Sequence, residues 1–270
     1  MSQAESYARF KALHERPGIF VMPNVWDAAS AALLAREGFE AIASSSIAIA
    51  FMLGKRDGAH DMSREEAVSN AGLLARVSGL PVNGDLEDGF GTAPEDCVAT
   101  VEAAIAAGLA GLGIEDTTAD PAKPIHDFDA AVARIAAAAK VAKGRIVLTG
   151  RTDLFLHGQG DLEEAIRRLT AFAEAGADVL YAPGLPTLDA IKAVVRAVSP
   201  LPVNVVMGPS DGLVPVSVLE EAGVKRLSLG GTLQRRAYDG LIEAARSLKA
   251  GDVAGTRPTL TSKEIAALLS

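Results

Sequence analysis

Pro81-Val-Asn-Gly-Asp85-Leu-Glu87-Asp-Gly-Phe-Gly91-Thr-Ala-Pro-Glu95-Asp-Cys-Val-Ala-Thr-Val101-Glu-Ala-Ala-Ile-Ala-Ala107-Gly-Leu109-Ala-Gly111-Leu-Gly-Ile-Glu115-Asp116 holds one complete structural unit. It opens with a short β-type run, residues 81–87, and passes through a Gly-rich turn. Thr92-Ala-Pro-Glu95 then starts a helix, which an alanine-rich stretch of helical period continues over residues 98–107. Gly108 stops that helix by supplying a left-handed turn, and a second β-type run follows at residues 111–115.

The same unit recurs in both directions. Further β-type runs stand at residues 19–23, 41–45, 146–151, 179–183, 202–207 and 226–230, which makes eight. Asp161-Leu-Glu-Glu164 starts a helix over residues 165–175. Glu37-Gly-Phe39, Ala175-Gly-Ala177 and Ala222-Gly-Val224 repeat the helix-to-strand junction of Ala107-Gly-Leu109. Apolar runs between helices are the mark of a parallel sheet buried on both faces. An open doubly wound sheet is the alternative, but it wants Gly-x-Gly-x-x-Gly after the first strand, and that motif is absent. The expected fold is therefore an α/β (β/α)8 barrel forming a single domain over residues 1–270. An extra N-terminal helix near residues 4–14 precedes it, and a last helix at residues 261–269 follows the eighth unit.

Composition narrows the class of function. The 270 residues carry a formal net charge of -8, and no Lys/Arg stripe tracks phosphates, so nucleic acid is not an expected partner. The weakly polar run at residues 41–53 contains three serines and is too short for a membrane span. Residues 1–10 lack the apolar stretch of a secretory signal, and a lone cysteine, Cys97, forms no internal disulfide. A cytoplasmic protein is the expectation.

In a (β/α)8 barrel the chemistry sits at the C-terminal strand ends, so acids there are read first. The third run ends in Asp85 and Glu87, which period two places on one face, and the fourth ends in Glu115-Asp116. Such carboxylates repel one another unless a cation neutralises them, and oxygen-only donors suit Mg²⁺ or Mn²⁺. The plainer reading makes them helix caps and solvated loop charges. The fifth run ends in Arg151-Thr-Asp153, where a guanidinium fork suits a substrate carboxylate or phosphonate, or else pairs with Glu115 or Asp153. The second run ends in Ser44-Ser45-Ser46-Ile47-Ala48, whose hydroxyls and N–H groups suit a carboxylate, unless they are small residues in a tight turn.

Taken together, Pro23-Asn24-Val-Trp-Asp27-Ala, Ser44-Ser-Ser, Gly54-Lys-Arg56-Asp57, Asp85-Leu-Glu87-Asp-Gly-Phe-Gly91, Ile114-Glu115-Asp116 and Arg151-Thr-Asp153 resemble the isocitrate lyase/phosphoenolpyruvate mutase superfamily. The resemblance runs from about residue 23 to residue 231. It implies Mg²⁺ at the barrel mouth, a homodimer or homotetramer, and C-terminal helices exchanged between subunits. It makes Asp85 the direct metal ligand, with Asp57, Glu87 and Glu115 holding the ion directly or through its waters. It gives Ser45, Ser46 and Ile47 to the substrate carboxylate. Arg151, with Asp57 and Glu115, becomes the catalytic set, and Arg151 faces the developing oxyanion or the far end of the substrate.

Departures from the family pattern narrow the reaction. Carbon–carbon lyases of the superfamily carry a Lys-Lys-Cys-Gly-His-type loop after strand four; here that segment reads Thr117-Thr-Ala-Asp-Pro-Ala-Lys-Pro-Ile-His126. It has no cysteine, and Cys97 falls within the preceding helix. The phosphonate enzymes use lysine and asparagine in this loop, of which only Lys123 remains; Glu87 also replaces a more usual Asp. His126 is left as a weak candidate proton donor. The expected activity is that of a Mg²⁺-dependent lyase on a small anionic 2-oxo acid or 2-hydroxy-dicarboxylate, forming an enolate. A carboxy-lyase of the oxaloacetate type leads. A phosphonomutase or phosphonopyruvate hydrolase competes with it, as does a non-catalytic 2-oxo-acid-binding barrel.

Overall fold

The computed structural model describes residues 1–58, 60–208 and 213–268. Helix α1 (Gln3–Glu15) leads into β1 (Phe20–Val21), α2 (Ala28–Arg36), β2 (Ile42–Ala43) and the short α3 (Ser46–Met52). Next come α4 (Arg64–Ser78), β3 (Val82–Asp85), α5 (Pro94–Ala106), β4 (Gly111–Glu115), α6 (Phe128–Ala142), β5 (Val147–Arg151) and α7 (Leu162–Glu174). The chain continues through β6 (Val179–Tyr181), α8 (Leu188–Val198), β7 (Val203–Val206), α9 (Val216–Glu221), β8 (Arg226–Ser228), α10 (Thr232–Lys249) and α11 (Ser262–Leu268). Each of the eight expected β-type runs contains a strand. Residue Leu269 of the expected last helix lies outside the described residues.

All eight strands are parallel, in the order β1-β8-β7-β6-β5-β4-β3-β2. The two end strands then meet: the Ala43 N–H donates to the Pro23 carbonyl at 3.0 Å, and the Val25 N–H donates to the Ala43 carbonyl at 2.8 Å. The sheet is thereby curled into the (β/α)8 barrel. Helix starts follow the sequence chemistry, with Asp27, Ser63, Asp161 and Thr187 each accepting a backbone N–H of the first turn. The α5 start differs from the expected cap at Thr92. Ala93 occupies the cap position, and its N–H is taken by the Asp96 carboxylate at 3.0 Å. Gly38, Gly108, Gly176 and Gly223, which close the four repeated junctions, all have φ between +85° and +107°.

Most of the core lies between the sheet and the surrounding helices. A smaller cluster of Phe10, Leu13, Phe20 and Met22 fills the N-terminal end of the barrel. Phe10 is fully buried and packs edge-on against His14 and Phe20. Room for its ring comes from Gly111, where a Cβ would lie 2.5 Å from Phe10 Cε1. Helix α1 thus plugs the barrel bottom, and the opposite, C-terminal end carries the cavity.

Helix α10 leaves the barrel after Gln234, whose amide donates to the Ala48 carbonyl at 2.6 Å. Beyond that point it exposes Leu241 (66%), Ile242 (46%) and Leu248 (53%). Among the described residues, no helix is long and apolar enough to cross a membrane.

Candidate active site

A cavity of about 250 Å³ opens at the C-terminal ends of the strands, a size suited to an acid of a few carbons. Its wall is chemically divided. Ser44, Ser45, Ser46, Asp57 and Asp85 line one side, Arg151 stands between, and Tyr181, Asn204, Arg226 and Ser228 line the other.

Asp85 ends β3 and is fixed by the neighbouring turn after β2. Its own N–H donates to Ser44 Oγ at 2.8 Å, and its carboxylate accepts the Ser46 N–H at 2.9 Å. The serine segment is not merely a tight turn: Ser45 caps α3, and Ser46 and Ile47 begin it. Ser45 Oγ is buried in the cavity wall with no hydrogen-bond partner among the described residues, and so is Asn83 Oδ1. A buried polar atom left unpaired is costly, and a bound ligand that supplies the partner removes that cost.

Arg151, at the end of β5, meets three acids. Its Nη1 lies 3.0 Å from Glu115 and 3.3 Å from Asp85, and its other two nitrogens grip Asp153 at 2.5 and 2.7 Å. The Tyr181 ring lies beneath the guanidinium at 5.2 Å. Register alone brings these together, since Glu115 pairs with Arg151 and Arg151 with Tyr181 across adjacent strands. Glu115 also accepts the Thr117 hydroxyl at 2.7 Å, and burial holds its carboxyl well above the ordinary value despite Arg151.

Glu87 does not follow the strand period expected of it. Strand β3 stops at Asp85, and Glu87 is left-handed, with φ +48°. His60 (φ +52°) and Phe90 (φ +60°) share that strained conformation, so the two loops that meet here hold three such non-glycine residues. Glu87 is 6% exposed, and its carboxyl is pushed up to about 8 by burial, then by Asp85, Asp57 and Asp88. Asp57, at the rim, lines the cavity beside Ser46; it too is raised, first by loss of solvent and then by Asp85.

The charge of these groups favours a divalent cation, but of the four expected ligands only Glu87 belongs to a set of three or more donors within 4.8 Å of one another among the described residues. After burial, the Asp85 charge helps to raise Asp57, Glu87 and Glu115, and Asp57 adds to Glu87, while Arg151 alone is named as a cation lowering all three, so further positive charge is what the group lacks. The structure adds a donor set that sequence reading missed. His60, Glu87 and Asp88 bring a ring nitrogen and two carboxylate oxygens within 4.8 Å of one another, and could hold a metal ion through the same Glu87. Asp88 is partly committed elsewhere, accepting the Phe90 N–H at 2.9 Å and lying 3.8 Å from buried Arg134.

The remaining candidates lie outside the cavity. Cys97 is fully buried on α5, its thiol 3.7 Å from the Asp88 carbonyl and pushed up to about 11, chiefly by burial. Lys123 pairs with Asp127 at the surface. His126 lies in a separate cleft with Thr92 and Lys123; its Nε2 is buried and unpaired among the described residues, and burial lowers its pKa. Asp116 serves the scaffold, accepting the Thr152 hydroxyl, the Asp153 N–H and Arg168 Nη1 at 2.7, 2.9 and 3.0 Å.

Residues 10–249 match the family model described as phosphoenolpyruvate phosphomutase. The chain belongs to that family. Carboxyvinyl-carboxyphosphonate phosphorylmutase of Arabidopsis thaliana is 31% identical, over 91% of this chain and 75% of its own length. Oxaloacetate decarboxylase of Paraburkholderia xenovorans is 29% identical, over 95% of this chain and 87% of its own. A Burkholderia cenocepacia crystal structure, provisionally described as that of a lyase/mutase, is 43% identical with a TM-score of 0.94, covering 98% of this chain and 95% of that one. This phosphoenolpyruvate phosphomutase family member thus sits among lyases and mutases of the isocitrate lyase/phosphoenolpyruvate mutase superfamily.

Proposed function

We propose that this protein is a Mg²⁺- or Mn²⁺-dependent lyase of small 2-oxo acids, most closely a carboxy-lyase of the oxaloacetate type. The observation that carries the choice is the place of the chain's single cysteine, buried on α5 behind the Asp88 backbone rather than in the loop over the cavity. Aldol-type cleavage needs a base for a hydroxyl and an acid for the departing carbanion, whereas loss of a carboxylate β to the keto group as CO₂ needs no base, and the enolate it leaves takes its proton from water. The electron pair of the broken C–C bond moves onto the keto oxygen, and charge stabilisation there carries most of the acceleration.

The chain's own groups divide that work. Ser45 Oγ, with the start of α3 at Ser46 and Ile47, receives the carboxylate beside the keto group. Arg151, held in place by Asp153, faces the oxygen on which charge develops. Asp85, Glu87, Asp57 and Glu115 would hold the metal, directly or through water. When bound, such an ion supplies positive charge that stabilises an enolate oxygen.

The oxaloacetate decarboxylase of Paraburkholderia xenovorans supports this reading, and the phosphorylmutase of Arabidopsis thaliana favours a carbon–phosphorus reaction as the second one. NMR of the protein with Mg²⁺ and oxaloacetate, 2-oxoglutarate or phosphonopyruvate decides between them. Decarboxylation of oxaloacetate that EDTA abolishes is the expected result. Phosphate release or isomerisation of phosphonopyruvate, without decarboxylation, would replace it with the second reading. A homodimer or homotetramer that exchanges C-terminal helices belongs to the same proposal, supported by the apolar side chains that α10 exposes. Light scattering tests it.

A further inference from the structure

Two arginines line the cavity, and their surroundings are opposite. Arg151 is enclosed by acids. Arg226, 1% exposed, has no carboxylate within ion-pair distance among the described residues. Its Nε donates to Asn204 Oδ1 at 2.8 Å and its Nη2 donates to Thr149 Oγ1 at 2.9 Å. Its Nη1 lies 3.3 Å from His14 Nε2. His14 Nδ1 lies 2.8 Å from the Phe10 carbonyl, which accepts only, so Nδ1 carries the proton and Nε2 accepts from Arg226. Burial lowers the His14 imidazole to about 3 and the Arg226 guanidinium to about 9. All three partners are neutral acceptors.

A buried cation without a counterion is costly, and a scaffold role would be served as well by an apolar side chain. Here the cost coincides with a cavity wall. By taking Asn204 Oδ1, Arg226 turns the amide N–H₂ toward Ser228 Oγ, 3.1 Å away, and Tyr181 lines the same wall. The wall over β6, β7 and β8 therefore presents hydroxyl and amide groups above an unneutralised charge, opposite Asp57 and Asp85.

We infer that Arg226 is a positioning residue: it orients Asn204 and keeps an uncompensated positive charge under the cavity floor, which draws the end of the anionic substrate that Ser45 does not hold to the wall opposite the carboxylate group. This rests on the 2-oxo-acid reading above and adds to it the polarity of the cavity.

His14 allows a test from below, because it touches Arg226 from α1 without lining the cavity. His14→Glu brings a carboxylate to Arg226, and His14→Gln leaves the site neutral. Oxalate is titrated calorimetrically, with Mg²⁺ present, into wild type, both variants and Arg226→Met, and each protein is also melted thermally. His14→Gln should bind within about twofold of wild type. His14→Glu should bind about tenfold or more weakly while melting no lower than His14→Gln, since the added charge cancels the field and relieves the buried cation. Arg226→Met, if folded, should lose a similar factor. His14→Glu binding oxalate as tightly as His14→Gln overturns the inference and leaves the 2-oxo-acid reading standing. A wild type that binds no oxalate overturns that reading, and this inference falls with it.

Discussion

Arg151 and Asp153 lie two residues apart and form a two-pronged ion pair, Nε to Oδ1 at 2.5 Å and Nη2 to Oδ2 at 2.7 Å. The pair fixes the plane of the guanidinium, so that Nη1 remains directed at Glu115 and Asp85. Arg151→Ala should therefore lower kcat by about 10²- to 10³-fold, the usual effect of removing a preorganised charge at a developing oxyanion. Arg151→Lys keeps the charge but loses the fork, and should recover only part of that loss. Steady-state kinetics on oxaloacetate with saturating Mg²⁺ checks both, and an Arg151→Ala enzyme with wild-type kcat removes Arg151 from the mechanism.

Glu87 makes stability depend on pH. Its carboxyl is raised to about 8 in the folded chain and takes an ordinary value near 4.5 when unfolded. Between those values the folded state binds the extra proton, so stability contributed by the protonated form is complete below about pH 4.5 and falls as pH rises through 8. Asp57 and Glu115 shift in the same direction. Thermal melts of the metal-free protein should thus fall between pH 5 and pH 8. Saturating Mg²⁺ should flatten that dependence, because it binds the deprotonated group. A metal-free melting temperature that rises over this interval contradicts the assignment.

How far the site was legible follows from how each residue reaches it. Asp85, Glu115 and Arg151 stand at strand ends, where a period-two run followed by a polar residue announces itself. Glu87 was placed near the cluster for the wrong geometric reason, since a left-handed backbone rather than strand alternation delivers it. His60 lies in the loop before α4, far from β3 in sequence, and no local pattern links it to Glu87. Tyr181, Asn204, Arg226 and Ser228 were missed because they are single polar residues inside apolar runs. The available signal was that charged or amide residues in a barrel strand must be buried, and hence must be paired or lining a cavity. The barrel itself was legible because the left-handed glycines recur at the same junction.

Phe10 offers a stability prediction independent of the chemistry. Its ring is fully buried against His14, Phe20 and Gly111 at the N-terminal end of the barrel, the face concerned with stability. Phe10→Ala should cost about 3–5 kcal/mol in urea unfolding. Turnover per folded molecule should fall far less than in Arg151→Ala, because Phe10 does not line the cavity.

Cys97→Ser separates the proposed chemistry from that of the superfamily lyases that use a loop cysteine. The thiol is enclosed by α5 and the loop after β3, its pKa pushed up to about 11 chiefly by burial, and its nearest polar partner is the Asp88 carbonyl at 3.7 Å. A thiol so placed transfers no proton to a ligand in the cavity. A serine hydroxyl can donate to the same carbonyl, so the fold should tolerate the exchange at a cost of about 1 kcal/mol. Turnover should stay within about twofold of wild type, whereas loss of a proton-transfer group typically costs about 10²- to 10⁴-fold. Measured on one substrate with one metal, a crippled Cys97→Ser enzyme beside an unaffected Arg151→Ala enzyme would overturn the mechanism. A crippled Cys97→Ser enzyme that also melts well below wild type would locate the damage in the loop that carries Glu87.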